Sequence, residues 1–224
     1  NARCLTHKVE NKLALQEHFG LPRDEKIPVF ATISRLVEQK GIDLILGAVP
    51  GIVKQKAQLI VLGSGDSKIE TGIRAAVKAH PEQVAARIGY DEALSHHIEA
   101  GADIFLMPSR FEPCGLNQIY SQRYGTVPIV RNTGGLADTV TDTTEETLEA
   151  RTATGFSFSG TTVKDLATTI DRALGYYRQP ELWQKIVSNG MKQDFSWKRS
   201  ALLYLELYET VLARREDVSV AETA

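Results

Sequence analysis

Hydrophobic and polar positions follow two alternating patterns along most of the chain. Short apolar runs bounded by turn residues predict buried strands, and apolar residues at i, i+3, i+4 spacing predict amphipathic helices. Strands are predicted at 29–35, 58–65, 84–90, 103–109 and 127–132. Helices are predicted at 11–19, 42–53, 69–79, 91–100, 116–124 and 162–177. Parallel neighbours need crossover connections, so the pattern predicts a Rossmann-like α/β domain with one doubly wound parallel sheet.

The most informative stretch is "PSRFEPCGLNQIYSQRYG", which joins the fourth predicted strand to the fifth helix. Leu116 opens the helical spacing, Pro113 suits the first turn, and Gly125 is placed to end the helix. A helix that begins directly after a parallel strand aims free backbone N–H groups at the crevice above the sheet. This is the usual place for a phosphate in an open α/β fold.

Two other strand ends carry candidate chemistry. In "SRLVEQKG", Arg35 ends a strand and Lys40 precedes a helix, so the two cations are placed to bracket a diphosphate. A pair of solvated surface cations is the alternative. The segment "LGSGD" at 62–66 has a lone GxG pattern, which predicts a tight turn more strongly than a dinucleotide fingerprint. Residues 133–136, "TGGL", either touch a ligand or serve backbone geometry alone.

Composition narrows the class of protein. The chain has 224 residues and a formal net charge of -2. This charge gives no sign of the basic face that binding to nucleic acid or to an anionic membrane requires. No apolar run reaches the roughly 20 residues of a membrane helix. Two cysteines and five scattered histidines offer neither a disulfide framework nor a metal site, and we expect no cofactor. A reducing cytoplasm or plastid stroma fits this cysteine usage.

Three long segments carry a family resemblance: "ISRLVEQKG", "GYDEALSHHIEAGADIFLMPSRFEPCGLNQIYSQRYGTVPIV" and "TGGLADTV". In this order they resemble the C-terminal, nucleotide-binding domain of bacterial glycogen synthases and plant starch synthases, from about Arg35 to Phe195. The resemblance implies the GT-B architecture of two facing Rossmann-like domains. Only the second domain is recognisable here, so we expect a fragment or a separately expressed domain.

The resemblance also implies roles for particular residues. Arg35 and Lys40 correspond to the basic pair that holds the donor diphosphate, and Glu112 to a glutamate beside the donor glucose. Tyr90 corresponds to an aromatic residue near the adenine. The turn whose N–H groups face sugar and phosphate corresponds to Cys114, Gly115 and Leu116.

Two positions depart from the pattern, and some residues have structural alternatives. Asn117 stands where many relatives carry Thr, so an amide would have to replace a hydroxyl contact to phosphate. Tyr120 stands where broader relatives carry a second glutamate, so paired carboxylates are not expected. Cys114 and Tyr90 have buried packing roles as alternatives, and Trp183 and Trp197 are expected to be packing anchors.

The implied function is one half of a retaining glucosyltransferase. Such an enzyme transfers glucose from ADP-glucose, or UDP-glucose, to the non-reducing end of an α-1,4-glucan. A non-catalytic module that binds a sugar nucleotide or glucan is the alternative, but simple nucleotide binding does not need Glu112. We expect a nucleotide-sugar-binding domain at 1–198, a helix at 199–216 that packs on an N-terminal GT-B domain, and a frayed tail at 217–224.

Overall fold

The architecture of a doubly wound sheet is confirmed. A computed structural model describes Leu5 and residues 7–221, with side chains described as far as residue 213. These residues form a six-stranded parallel sheet with the strand order β3-β2-β1-β4-β5-β6. The strands are β1 Val29–Ile33, β2 Gln58–Gly63, β3 Val84–Ile88, β4 Ile104–Met107, β5 Val127–Arg131 and β6 Phe156–Phe158.

Helices connect successive strands. In the described part of the chain they are α1 Lys8–His18, α2 Ile42–Lys54, α3 Ser67–Ala79, α4 Glu92–Gly101, α5 Asn117–Tyr124, α6 Gly134–Thr139, α7 Glu145–Glu149, α8 Val163–Tyr177, α9 Pro180–Met191 and α10 Trp197–Ala221. A 3₁₀ turn, Glu38–Lys40, precedes α2.

The sheet is covered on both faces, which explains why its strands read as nearly continuous apolar runs. Along β1, Phe30 joins a core with residues of α2, α8 and α9. Val29 and Ala31 join a second core with residues of α1 and α4 on the opposite face. Successive side chains of a strand point to opposite faces, so each strand contributes to both cores.

The structure corrects several local expectations. Helix α5 begins at Asn117, so Pro113 lies in the preceding loop and not in the first turn. Gly115 has a φ of +73°, a left-handed conformation that interrupts any earlier helical start. The expected Gly-Gly turn forms the short helix α6. The polar segment that follows contains α7, which has a capping box at Thr144. Helix α9 was not among the predicted elements.

The chain divides into two compact units, the first ending at Lys192 and the second starting at Gln193. The second unit contains α10, whose side chains Leu202 to Leu212 include eight large apolar residues that are 53% to 59% exposed. Trp197 is 88% exposed, and its expected role as a packing anchor stays a prediction. The helix continues through 217–221, where a frayed tail was expected, and 222–224 lie outside the described residues.

None of the described helices has the length and apolar character needed to cross a membrane.

Candidate functional site

The order of the strands fixes where a ligand site is expected. β1 and β4 are adjacent parallel strands at the centre of the sheet. From β1 the chain continues through β2 to β3 at one edge, and from β4 it continues through β5 to β6 at the other edge. The crevice beyond the carboxyl ends of such a central pair is the usual ligand site of doubly wound folds. Two loops border it here: residues 34–41 after β1, and residues 108–116 between β4 and α5.

A cavity of about 230 Å³ lies in this crevice. Six of the eight predicted site residues line it together with the ends of β1 and β4. They are Arg35, Lys40, Glu112, Gly115, Leu116 and Asn117. The two remaining predicted residues, Tyr90 and Cys114, are not among its lining residues.

The centre of this cavity is an ion pair between Lys40 and Glu112. Lys40 Nζ lies 2.5 Å from Glu112 Oε2, and the Ser109 hydroxyl donates to the same oxygen at 3.2 Å. Glu112 is only 7% exposed. Because the ammonium group has three N–H donors, Lys40 can hold Glu112 and still donate to a phosphate oxygen. The pair thus joins a cation to a carboxylate whose second oxygen stays available to hydroxyl donors.

Arg35 supplies a second cation at the mouth of the same cavity. Its side chain is exposed, and its guanidinium has no hydrogen-bond or ion-pair partner among the described residues. A free guanidinium next to a paired ammonium gives the crevice positive charge that an anionic ligand can neutralise.

The start of α5 faces this crevice. Its N-cap residue, Leu116, offers no side-chain cap to the first N–H groups of the helix. Asn117 Nδ2 donates to the carbonyl of Ile33 at 2.8 Å, so one N–H of this amide holds the end of β1. Gln118 Nε2 donates to the carbonyls of Cys114 and Gly115, both at 3.1 Å, and fixes the turn.

A second set of contacts holds the loop that carries Glu112. Arg110 forms a two-pronged ion pair with Asp43, with both N···O distances at 2.7 Å, and also donates to the Glu38 carbonyl. The Arg110 guanidinium lowers the pKa of Asp43 below its ordinary value. Arg131 donates to the carbonyls of Ser109 and Arg110. Sequence spacing gave no signal for these partners, since Asp43 and Arg131 lie 67 and 21 residues from Arg110.

The "TGGL" segment supports this loop from behind. A Cβ atom at Gly134 would collide with the carbonyl oxygen of Glu112, and one at Gly135 with the carbonyl oxygen of Cys114. The Gly135 N–H donates to the carbonyls of Glu112 and Pro113, at 3.1 and 3.2 Å. None of residues 133–136 is among the lining residues of the crevice cavities. These contacts support a geometric role for the segment, and its contact with a ligand stays a prediction.

A larger cavity of about 450 Å³ adjoins the first, since both are lined by Ile33, Ser34, Arg35 and Asn117. Tyr90 lies at its edge and is 86% exposed, with its hydroxyl 3.4 Å from Glu92 Oε2. A core role for Tyr90 is therefore wrong. Cys114 is also exposed, so its buried alternative is wrong too, and it lines neither cavity.

A third cavity, of about 700 Å³, lies at the opposite edge of the sheet, where the strands begin. Its buried cations bond to oxygens of the protein. Lys8 Nζ donates to the carbonyl of Ala100 at 2.8 Å and to the hydroxyl of Thr126 at 2.7 Å. Lys12 Nζ lies 2.7 Å from Asp103 and also donates to the carbonyl of Glu25 and to the hydroxyl of Tyr177. Because these groups are satisfied internally, this cavity is a weaker candidate than the crevice.

The described residues contain no cluster of three or more His, Cys, Asp or Glu side chains placed to hold a metal ion. The groups available at the smaller cavity are instead two cations, the buried carboxylate of Glu112 and uncapped backbone N–H groups. This set defines the class of doubly wound α/β domains that hold an anionic ligand at the carboxyl edge of the sheet.

Comparison with known proteins gives the particular family. Residues 15–193 match the family model for glycosyl transferases group 1, and the chain belongs to that family. It is 50% identical over 94% of its length to glycogen synthase 2 of Nitrosococcus oceani, and 52% identical over 93% to glycogen synthase 1 of Methylococcus capsulatus. The chain spans 43% and 42% of these two relatives, less than half their length.

A solved structure is similar along almost the whole chain. It is the catalytic domain of starch synthase IV from Arabidopsis thaliana, bound to ADP and acarbose. The identity is 38% and the TM-score 0.86, over 95% of this chain and 44% of that one. The expected likeness to GT-B glycogen and starch synthases is confirmed.

Proposed function

We propose that the chain is the donor-binding half of a retaining glucosyltransferase. The whole enzyme transfers glucose from ADP-glucose to the 4-hydroxyl at the non-reducing end of an α-1,4-glucan. Membership of the glycosyl transferases group 1 family and about 50% identity to bacterial glycogen synthases support this reaction. The ADP bound to the similar starch synthase supports ADP-glucose over UDP-glucose.

The observation that carries the proposal is the contact between Lys40 and Glu112 inside the crevice. During transfer the bond between the anomeric carbon and the diphosphate oxygen breaks, and a bond to the acceptor oxygen forms on the same face. The acceptor proton passes to the leaving diphosphate. Lys40, Arg35 and the start of α5 stabilise negative charge on the leaving group, and Glu112 stabilises positive charge at the anomeric carbon.

The two adjoining cavities can hold different parts of the sugar nucleotide. The smaller cavity holds both cations and the carboxylate, so we place the diphosphate and glucose there. The larger one has Tyr90 at its edge, where a flat ring can stack on the base. A module that only binds nucleotides would not need a buried carboxylate paired to the diphosphate cation, and Glu112 therefore favours the transferase over the non-catalytic alternative.

The proposal includes a second, N-terminal domain that binds the acceptor glucan. The chain spans less than half of its relatives, and the expected contact of the 199–216 helix with that domain would cover its exposed apolar side chains. The bacterial relatives support a location in the bacterial cytoplasm rather than in a plastid.

Isothermal titration with ADP tests donor binding directly. Arg35→Ala and Lys40→Ala should each weaken ADP binding by about 10- to 150-fold, equivalent to about 1.5–3 kcal/mol for a hydrogen bond to a charged group. Arg23→Ala and Lys78→Ala remove exposed cations away from the crevice, and they serve as matched controls. ADP affinity that is unchanged in both site variants would remove the crevice from the donor site.

A further inference from the structure

Glu99 is a buried carboxyl that the proposed reaction leaves unused. It lies on α4, is 2% exposed, and lines the larger cavity. Its Oε2 atom has no hydrogen-bond partner among the described residues. His96 Nδ1 lies 3.8 Å away, beyond hydrogen-bonding distance. A buried oxygen of this kind, at the wall of a cavity of ligand size, is a strong acceptor for a ligand's N–H group.

The surroundings of Glu99 do little to neutralise it. His96 is on the same helix, and the Tyr124 hydroxyl of α5 lies 3.5 Å from the His96 ring nitrogen. Tyr120 of α5 lines the same cavity. Among the described residues, Arg35 is the one lysine or arginine that lines this cavity. Burial raises the pKa of Glu99 to about 7. Asp91 and Glu92 also line this cavity, so the Glu99 carboxyl is buried without a fixed cation beside it.

The larger cavity shares only part of its lining with the smaller one. Arg35 lines both cavities, whereas Ser95, His96 and Glu99 of α4 line the larger cavity alone. Side chains on a helix lean toward its N-terminus, which for α4 follows the carboxyl end of β3. From the C-terminal half of α4, the Glu99 side chain leans in this direction and lines the larger cavity. A nucleotide with its diphosphate at Arg35 and Lys40 has its base in this larger cavity.

We propose that Glu99 is a specificity-determining residue whose carboxyl accepts a hydrogen bond from the exocyclic amino group of the purine base. This inference rests on the proposed function, since it places the base of the donor nucleotide in the larger cavity. Adenine presents an N–H donor at this edge. Hypoxanthine presents a carbonyl oxygen at the same position, and an ionised carboxylate repels it. Glu99 therefore selects adenine by attraction and rejects a 6-oxo purine by repulsion.

The experiment is a titration of the chain with ADP and with inosine diphosphate, whose base carries a carbonyl oxygen in place of the 6-amino group and a proton on N1. At pH 8 the carboxyl is mostly ionised. We expect the wild-type chain to bind ADP at least tenfold more tightly than inosine diphosphate. Glu99→Met keeps the side-chain length and removes the acceptor, so ADP affinity should fall until the two nucleotides bind about equally.

Glu99→Gln gives a readout that a structural role would not produce. Its amide can turn to donate to the hypoxanthine oxygen, so the variant should bind inosine diphosphate several-fold more tightly than the wild type does. Glu82→Gln, at an exposed position before β3, is the matched control and should keep the wild-type preference. Circular dichroism checks the fold of each variant.

The outcomes separate the two proposals. If ADP binds and Arg35→Ala weakens it, but Glu99→Met and Glu99→Gln keep the wild-type ratio of the two affinities, the role of Glu99 is refuted while the donor site stands. If ADP does not bind to the wild-type chain, or Arg35→Ala and Lys40→Ala leave its affinity unchanged, both proposals fail. A lower ratio in both variants, with tighter binding of inosine diphosphate to Glu99→Gln, supports the role of Glu99.

Discussion

Replacing Lys40 with Met should destabilise the chain through the carboxylate that it leaves behind. Opposite unit charges 2.5 Å apart attract by about 6–7 kcal/mol at an effective dielectric constant of about 20. Desolvation of the two groups offsets much of this attraction. The side chains of Lys40 and Glu112 are 19% and 9% exposed, so the pair is buried enough for a lone Glu112 to be costly.

We expect Lys40→Met to lower the free energy of unfolding by about 2–3 kcal/mol, somewhat below the cost of breaking a fully buried pair. Glu112→Gln keeps the shape of the side chain and a partner for Ser109, so it should cost about 1 kcal/mol. The double variant should cost about 2 kcal/mol less than the two single changes combined, because neither partner is then left charged and unpaired.

Urea unfolding at pH 7, followed by far-UV circular dichroism, measures all four states of this double-mutant cycle. The exposed pair of Arg23 and Glu17, 3.0 Å apart with side chains 54% and 66% exposed, is the matched control. Its coupling should stay below about 1 kcal/mol. A Lys40–Glu112 coupling no larger than that of the control pair would show that a lone Glu112 is not costly at this site.

Four further measurements test the crevice, the loop that carries Glu112, the buried carboxyl of Glu99 and the need for a second domain. In a protein that carries both GT-B halves, Glu112→Gln should lower the turnover number far more than donor affinity; equal turnover would contradict its electrostatic role. Gly135→Ala should lower the free energy of unfolding by at least about 2 kcal/mol in urea, because the new Cβ meets the Cys114 carbonyl; a neutral effect would contradict the close packing. Burial raises the pKa of Glu99 in the folded state from the ordinary 4.5 to about 7, so the free energy of unfolding should fall as the pH rises from 4.5 to 7. In urea unfolding at pH 4.5 and 8, Glu99→Gln should reduce the difference between the two free energies by up to about 3 kcal/mol. The chain alone should not transfer labelled glucose from ADP-glucose to glycogen, since it lacks the proposed acceptor wall; clear elongation would contradict the two-domain reaction.

The fold was largely predictable because hydrophobic periodicity follows from burial. Each of the five predicted strands corresponds to an observed one, since a strand covered on both faces must be apolar throughout. The short helices α6 and α7 were not predicted. Gly134 and Gly135 at the start of α6 are the residues most typical of a turn. Gly134 keeps a turn-like φ of +46°, and both glycines pack against the loop that carries Glu112.

The candidate site was predictable only where local pattern and family resemblance agreed. Arg35 and Lys40 occupy a recognisable turn between strand and helix, and Glu112 precedes a helix start. The sequence could not reveal that Lys40 and Glu112, 72 residues apart, form an ion pair. Nor could it reveal that Glu99 is buried without a partner for its Oε2 atom, because a charged residue inside an amphipathic helix is usually solvated.

A crystal structure of the chain with ADP-glucose would show whether the crevice is the donor site. We expect the diphosphate within hydrogen-bonding distance of the Arg35 guanidinium and Lys40 Nζ, with the glucose beside Glu112 and the base in the larger cavity. A nucleotide bound elsewhere, for example in the cavity beside Lys12 at the opposite edge of the sheet, would contradict it.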